Sequence, residues 1–395
     1  MIDFLQYKML GDFRFWLLFF AINMSGNLCF GYFFPDKITI ICLAFYVILF
    51  FILKKEIDLI LLYFTSCFIV IFALQAFLLT DYSLQSSLHF LLKIFTGIGV
   101  ASIVGDKFVY YYKKIICFFC IVSLFCFTLN CIGVVIPYII MPSSGIDGGQ
   151  VIRVSSVIYT QLYDVEHNLG LTLRNCGPFW EPGAFQGFIN LALFFDFYNH
   201  RSSGSFFSKE SVVYIITILT TLSTGGYVTM FFIISCFIIQ NRTISLTTKL
   251  LFISISLIIF AYLFFNIEFL GDKITRDANS KGGRLSLDFS NVDFIKILIG
   301  SGLDPKSFLN NSLVATGSLI MLINFTGVSG FLILFLFLYR NISIDNMIFI
   351  IIISMILINE PFLTSGPFWW CLPKLVNFIN SDKYQIDLIN KKYIA

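Results

Sequence analysis

The feature that most constrains this chain is the recurrence, from end to end, of apolar runs about as long as a bilayer is thick. The stretch "LTTLSTGGYVTMFFIISCFII" (219–239) carries no charge at all, and a helix needs ~20 such residues to cross the hydrocarbon core. Only 12% of the 395 residues are charged, about half the ~25% that coats a soluble domain. A membrane β-barrel would alternate apolar and polar residues in ~10-residue segments, and these solid runs do not. The expectation is an all-α polytopic integral membrane protein, one membrane domain over residues 1–395.

The first run (15–34) is too long for a signal-peptide core and lacks a small-residue cleavage site, so it reads as a retained helix. The segment before it, "MIDFLQYKMLGDFR", is amphipathic enough to lie on the inner surface. Twelve spans follow from the hydropathy: 15–34, 38–53, 59–79, 86–104, 115–136, 179–197, 211–223, 226–240, 249–269, 312–338, 346–360 and 362–379. With both termini inside, sixteen of the twenty-six Lys and Arg fall on the cytoplasmic side, as the positive-inside bias requires. Residues 211–240 could form one tilted helix or two short ones turning at "STGG". Two are preferred, because they keep the basic C-terminus inside and Gly225-Gly226 supplies backbone freedom.

The ten cysteines lie almost entirely in apolar runs, where a thiol packs as a small apolar group. Cys117 and Cys120 form a C-x-x-C within a span, without the further ligands a metal site needs. No metal, cofactor or nucleic-acid partner is expected.

Apart from Lys37, the basic residues that defy the orientation bias fall in two long outer loops. Residues 137–178 hold Arg153 and Arg174; residues 270–311 hold Lys273, Arg276, Lys281, Arg284, Lys296 and Lys306. This gathering fits an anionic ligand on the outer face, or simply two loops long enough to escape the bias. The first loop also carries Asp164, Glu166 and His167. It ends at Arg174, whose guanidinium can grip phosphate oxygens in a fork that lysine lacks. Pro178 and Pro182 then bracket a helix start, where a missing N–H costs little. Glu181 falls at that start, where a carboxylate is favoured by the helix dipole. It could act as a cap, orient Arg174, or take a proton from a sugar hydroxyl.

In the second loop, Gly282-Gly283 leads into Arg284, after which Leu285, Phe289, Val292, Ile295 and Ile299 recur at helical spacing. This predicts an amphipathic helix lying flat on the outer leaflet, a lid or lipid-surface element, with Arg284 at its anion-friendly N-terminus. Within a span, Gln85, His89 and Lys93 recur every four residues and share one face; Lys93 could snorkel or pair with a carboxylate. "NEPFLTSGPFWW" (359–370) reads as an outer hairpin anchored by Trp369 and Trp370 at the interface. Alternatively, its Glu360 is a second carboxylate able to approach Arg174 or Arg284.

These stretches resemble the bacterial O-antigen and capsule polysaccharide polymerases and the related ligases. The family's Arg, Gly, aromatic and Glu-Pro opening stands here as "RNCGPFWEPGAF" (174–185), and its short "T-S-x-G-G" hairpin as "LTTLSTGGYV" (219–228). Its second arginine loop fits "GGRLSLDFSNVDFIKILIGSG" (282–302), and its Asn/His-rich turn into a Gly-rich span fits "NNSLVATGSLIMLINFTGVSG" (310–330). The match covers roughly 170–340. Two of these motifs depart from the family form. Thr224 replaces the Arg of the "S-R-G-G" form, and Asn310, Asn311 and Ser312 stand where ligases tend to carry His, which favours polymerase.

The resemblance implies a GT-C-type polymerase and ligase architecture and an inverting, metal-independent glycosyl transfer at the periplasmic face of the inner membrane. The donor would be a growing glycan on undecaprenyl pyrophosphate and the acceptor a lipid-linked repeat unit. Membrane lipid and a possible chain-length regulator would be the other partners. Arg174 and Arg284 would stabilise the pyrophosphate charge, and Glu181 or His167 would serve as base. Arg153, Arg276, Lys281, Glu360, Lys93 and His89 are further expected contacts to substrate.

Overall fold

The computed structural model describes residues 11–27, 29, 36–53, 59–80, 82–134, 136–142, 150–156, 158–164, 174–200, 207–241, 244–252, 254, 294–302, 317–339, 343–360 and 362–376. Three stretches are helical and apolar enough to cross a membrane: Leu59–Leu78, Leu84–Cys131 and Ser318–Leu338. Shorter apolar helices accompany them.

Helix α1 (Phe13–Met24) is capped by the Asp12 side chain. Helices α2 (Asp36–Leu53), α3 (Leu59–Leu78), α4 (Leu84–Val104) and α5 (Phe108–Cys131) follow. Then come strands β1 (Ile139–Pro142), β2 (Gln150–Ser156), β3 (Tyr159–Asp164) and β4 (Arg174–Asn175), paired antiparallel in sequence order. The chain continues through α6 (Pro182–His200), α7 (Lys209–Thr221), α8 (Thr224–Gln240), α9 (Phe294–Ile299), α10 (Ser318–Leu338), α11 (Ile344–Asn359) and α12 (Phe362–Ser365). A 3₁₀ turn, Phe368–Cys371, follows and runs into helical residues 372–376 at the end of the described part.

The centre of the bundle is α6. Every residue from Pro182 to Tyr198 is buried, as expected of a helix packed on all sides. Helices α5, α7, α8 and α11 surround it. Between apolar helices in lipid the association comes from close packing, with small residues admitting neighbouring backbones. Gly187 accordingly lies against Phe362 and Ile356, and Gly366 against Ser25. Phe188 stacks on Phe179 at 4.3 Å and meets Trp369 at 4.9 Å.

Several expectations are corrected. The first apolar run does not continue as one helix to residue 34. It ends at Met24, where Ser25 turns back onto Ile22 and Ala21 and Asn27 bridges to Phe179. The run expected at 115–136 starts at Phe108 and ends at Cys131. The loop 137–178 holds a sheet that a purely α reading omits. Trp369 and Trp370 are not interfacial anchors but fully buried. Trp370 reaches Phe64, Phe68 and Phe90, while Trp369 stacks on Phe362 at 4.3 Å. The chain after Glu360 folds inward through Gly366 and Pro367, so both indoles find aromatic partners inside the bundle.

The 211–240 region does form two helices. Gly226 lies against Gln186 near the start of α6, while Phe237 meets Phe194 and Phe197 further along it. Helix α8 therefore runs parallel to α6 and α7 antiparallel to it, since α7 begins beside Asp196 and ends beside Arg174. The turn is not made by the glycines, however. Leu222 takes the left-handed conformation (φ 49°, ψ 42°), and Gly225 and Gly226 are already helical.

Of the expected amphipathic helix 285–299, only Phe294–Ile299 is described. It packs mainly on α10, with Ile299 buried and Phe294 72% exposed. Its end is clamped, because Gln75 of α3 donates to the carbonyls of Ile299 and Phe325, the latter beside the α10 kink at Gly327.

Candidate functional site

The site is built where helix ends meet at the start of α6. Strand β4 delivers Arg174, paired in register with Leu162 of β3. The chain then turns sharply at Gly177, whose φ of +54° and contact with the Phe185 ring leave no room for a side chain. Thr160 holds this turn by donating its hydroxyl to the Gly177 and Phe179 carbonyls at 3.0 and 2.7 Å. Trp180 N–H donates to Gly26 O at the break after α1. This local geometry converts "RNCGPFWEP" into a fixed entry that points Arg174 back over the bundle.

Arg174 is only 8% exposed. Its Nε donates to Thr221 O at 3.2 Å and its Nη2 to Leu222 O at 3.1 Å. The arginine thus grips the α7–α8 hairpin tip, and the strained Leu222 backbone turns these two carbonyls toward it. Burial pulls the guanidinium below its ordinary range, while Cys176, Glu181, Glu360 and Tyr227 act in the opposite sense. A guanidinium stays charged even so, and in a partly dehydrated setting its field on an anion is strong.

Two carboxylates lie within electrostatic reach of it. Glu181, half-buried just before α6, accepts from Trp180 Nε1 at 2.8 Å. Glu360, 3% exposed at the end of α11, presses its carboxylate onto Gly183, where any side chain would collide with it. Its backbone carbonyl accepts from Ser318 N at 2.9 Å, from the Ser318 hydroxyl and from Phe362 N. Glu181 directly precedes α6, and Glu360, which ends α11, sets its carboxylate against Gly183 in the first turn of α6. Glu360 thus acts electrostatically on Arg174, while Arg284, its other expected partner, lies outside the described residues.

The other expected site residues are dispersed. Arg153 lies on β2 opposite Gln161, which in turn pairs with Asn175, so strand β3 and one register row separate it from Arg174. His89 and Lys93 are half-buried on α4, whose main neighbours are α1, α2, α3 and the 368–371 turn rather than α6. His167, Arg276, Lys281 and Arg284 lie outside the described residues, as do Glu166, Asn310, Asn311 and Ser312. Among the described residues no cluster of His, Cys, Asp and Glu could hold a metal ion, and the cysteines are free thiols.

Sequence reasoning missed a set of polar residues that complete the site. Asn175 donates to Ser123 and Thr220 and accepts from Gly177 N–H. Gln186 and Asn190, both fully buried on α6, are joined by a 2.8 Å bond, and Asn190 also donates to Gly226 O. Asn359 packs its amide on Gly225. The i, i+4 spacing of Gln186 and Asn190 within an otherwise apolar run was the available signal. Comparisons with known protein families, curated proteins and solved structures find no match.

Proposed function

We propose that this chain is an O-antigen polymerase, moving a growing glycan from undecaprenyl pyrophosphate onto a lipid-linked repeat unit at the periplasmic face of the inner membrane. The observation that carries the reading is a convergence. The Arg174 stretch and the "LSTGG" stretch, which the family resemblance singles out separately, meet in space through two Arg174 hydrogen bonds, with Glu181 and Glu360 alongside.

In this reaction the acceptor hydroxyl oxygen attacks the anomeric carbon, the sugar–phosphate bond breaks, and the electron pair leaves with the pyrophosphate. The configuration inverts. Arg174 is suited to stabilise the growing charge on the leaving group, because it is already held in place by the hairpin carbonyls and needs no reorganisation. Glu181 or Glu360 is suited to accept the hydroxyl proton. Arg284 is assigned the second pyrophosphate contact from the resemblance.

The test is a gel of surface polysaccharide from cells lacking the gene, complemented with wild type or with Arg174→Ala. Lipid A core capped by a single repeat unit, rescued only by wild type, supports a polymerase with Arg174 at the chemistry. Bare core with polymer left on its lipid carrier would assign ligase instead. Bare core with single units trapped on the inner leaflet would make the chain a transporter.

A further inference from the structure

The first turn of α8 is an open set of hydrogen-bond donors. Helix α8 has 17 residues, and the side chain of its N-cap, Ser223, makes no capping bond. The first helical amide with a backbone acceptor is Tyr227, on Ser223 O. No acceptor among the described residues takes the N–H groups of Thr224, Gly225 or Gly226. In a chain of this hydrophobicity such groups are expensive to leave unmet.

A second, independent donor lies against the same turn. The Gln186 side chain packs on Gly226, with its Cγ and Cδ 2.9 and 3.2 Å from where a Cβ there would stand. Its Oε1 is taken by Asn190, while its Nε2 is buried and has no partner among the described residues. Both glycines lie in close packing with no room for a side chain: a Cβ on Gly225 would meet the Asn359 amide at 2.6 Å and one on Gly226 the Gln186 side chain. Arg174 is fastened to Thr221 and Leu222, immediately before the turn. Thr224 and Gly225 are half-exposed, so the turn can be reached from outside. The carboxylate of Glu360 is held on the α6 side, over Gly183.

We infer that the first turn of α8, with the Gln186 amide and Arg174, is the seat of a phosphate or diphosphate oxyanion. Backbone N–H groups at a helix start, a dipole and a guanidinium are the chemistry that holds such groups. The identification of the diphosphate as that of the lipid-linked donor rests on the proposed polymerase reading; the seat itself does not. It also gives "STGG" a role beyond turning the chain: the turn is Leu222's, and the glycines let Gln186 and Asn359 pack directly on the helix start.

The experiment is calorimetric titration of the full-length protein in lipid nanodiscs with inorganic pyrophosphate and, separately, farnesyl pyrophosphate. Wild type should bind both. Gln186→Glu, nearly isosteric but anionic, should weaken binding roughly tenfold or more, since it replaces a donor to a charged acceptor by a like charge. Gln186→Met, which keeps the volume, should weaken it less and serves if Gln186→Glu does not fold. Gly225→Ala paired with Asn359→Ala, which removes the clash, should retain binding. Tighter binding of the prenyl probe assigns the seat to a lipid-linked diphosphate, and equal binding to a free one. Unchanged affinity in folded Gln186→Glu and Gln186→Met, or no binding by wild type, would overturn the seat. Loss of binding in Gln186→Glu, with a glycan ladder that stays normal even when the gene is deleted, would instead leave the seat standing and sink the polymerase reading. A ladder abolished by Arg174→Ala while Gln186→Glu binds normally would do the reverse.

Discussion

At its C-terminal end α6 carries Asp196, fully buried, and both oxygens of that carboxylate are hydrogen-bonded. Lys113 of α5 bonds it at 2.9 Å, and the Ser208 and Ser211 hydroxyls, which also form the capping box of α7, donate to its second oxygen. Glu210 then takes Lys114 at 2.6 Å and Lys113 at 3.6 Å, so two lysines face two carboxylates. At its N-terminal end the same helix is entered through Glu181, faces Glu360, and has Arg174 as the nearby cation, beside a helix start whose amides are uncapped. One end is closed upon itself and the other is built around groups that a ligand can engage. The lesson is that charges of the same kind inside one apolar bundle can be gathered into a buried ion-pair lock at one helix end and set beside an uncapped helix start at the other.

That contrast can be broken by mutation. The largest expected effect is at Arg174. Arg174→Ala should cost long chains almost entirely, by about 3–4 kcal/mol of transition-state stabilisation, with the protein still in the membrane. Arg174→Lys should also fail, because lysine has no fork to hold Thr221 O and Leu222 O together. Normal chain length in either variant, read on a polysaccharide gel, would remove the distinction between the two ends.

At the closed end the effect should fall on stability instead. Asp196→Ala leaves buried Lys113 with only the more distant Glu210, 3.6 Å away, and should cost about 3 kcal/mol, whereas the double change Lys113→Met with Asp196→Leu should cost much less. Thermal melts in detergent would show it, and a double variant as unstable as the single would contradict the lock.

Gly183→Ala tests the open end more gently. The added methyl must push the Glu360 carboxylate off the start of α6, so transfer should fall several-fold with a smaller change in melting temperature. A variant that melts early yet polymerises normally would make Glu360 a structural residue.

The smallest effect is expected outside the bundle, at Asp12. The Arg14 guanidinium, helped by Tyr111 and Lys107, holds this carboxyl well below its ordinary range despite partial burial. Its contribution is therefore fully present above the unfolded value of ~3.9 and is lost only as pH falls through the lower folded value. Asp12→Asn, which keeps an N-cap side chain, should lower stability by about 0–1 kcal/mol at pH 7. A larger loss, or a loss between pH 7 and 5 in wild type, would show that this cluster is more than a surface tie.

Much of this was legible before any coordinate. The helical hairpin at 211–240 followed from the charge balance of the chain, and the residues of the open end followed from the "RNCGPFWEP" and "NEP" stretches. Leu222 was not legible, because a leucine in the left-handed region has no propensity signal; only Arg174, 48 positions away, makes that conformation worth adopting. The burial of Trp369 and Trp370 was misread for a related reason. An indole suits an interface as well as a core, and its place depends on which aromatic rings the returning chain meets. The closed end was missed because Lys113 and Asp196 stand 83 residues apart and each alone reads as a charge near a helix end.

By itself the sequence determined the class of structure and where its chemistry concentrates. Hydrophobic runs of bilayer length admit little besides helices, since every backbone group there must be satisfied within its own segment. The tertiary structure decided which charges are partners and which donors are left open. Those choices depend on contacts between residues far apart in the chain, where packing between several helices, rather than any local periodicity, sets the distances.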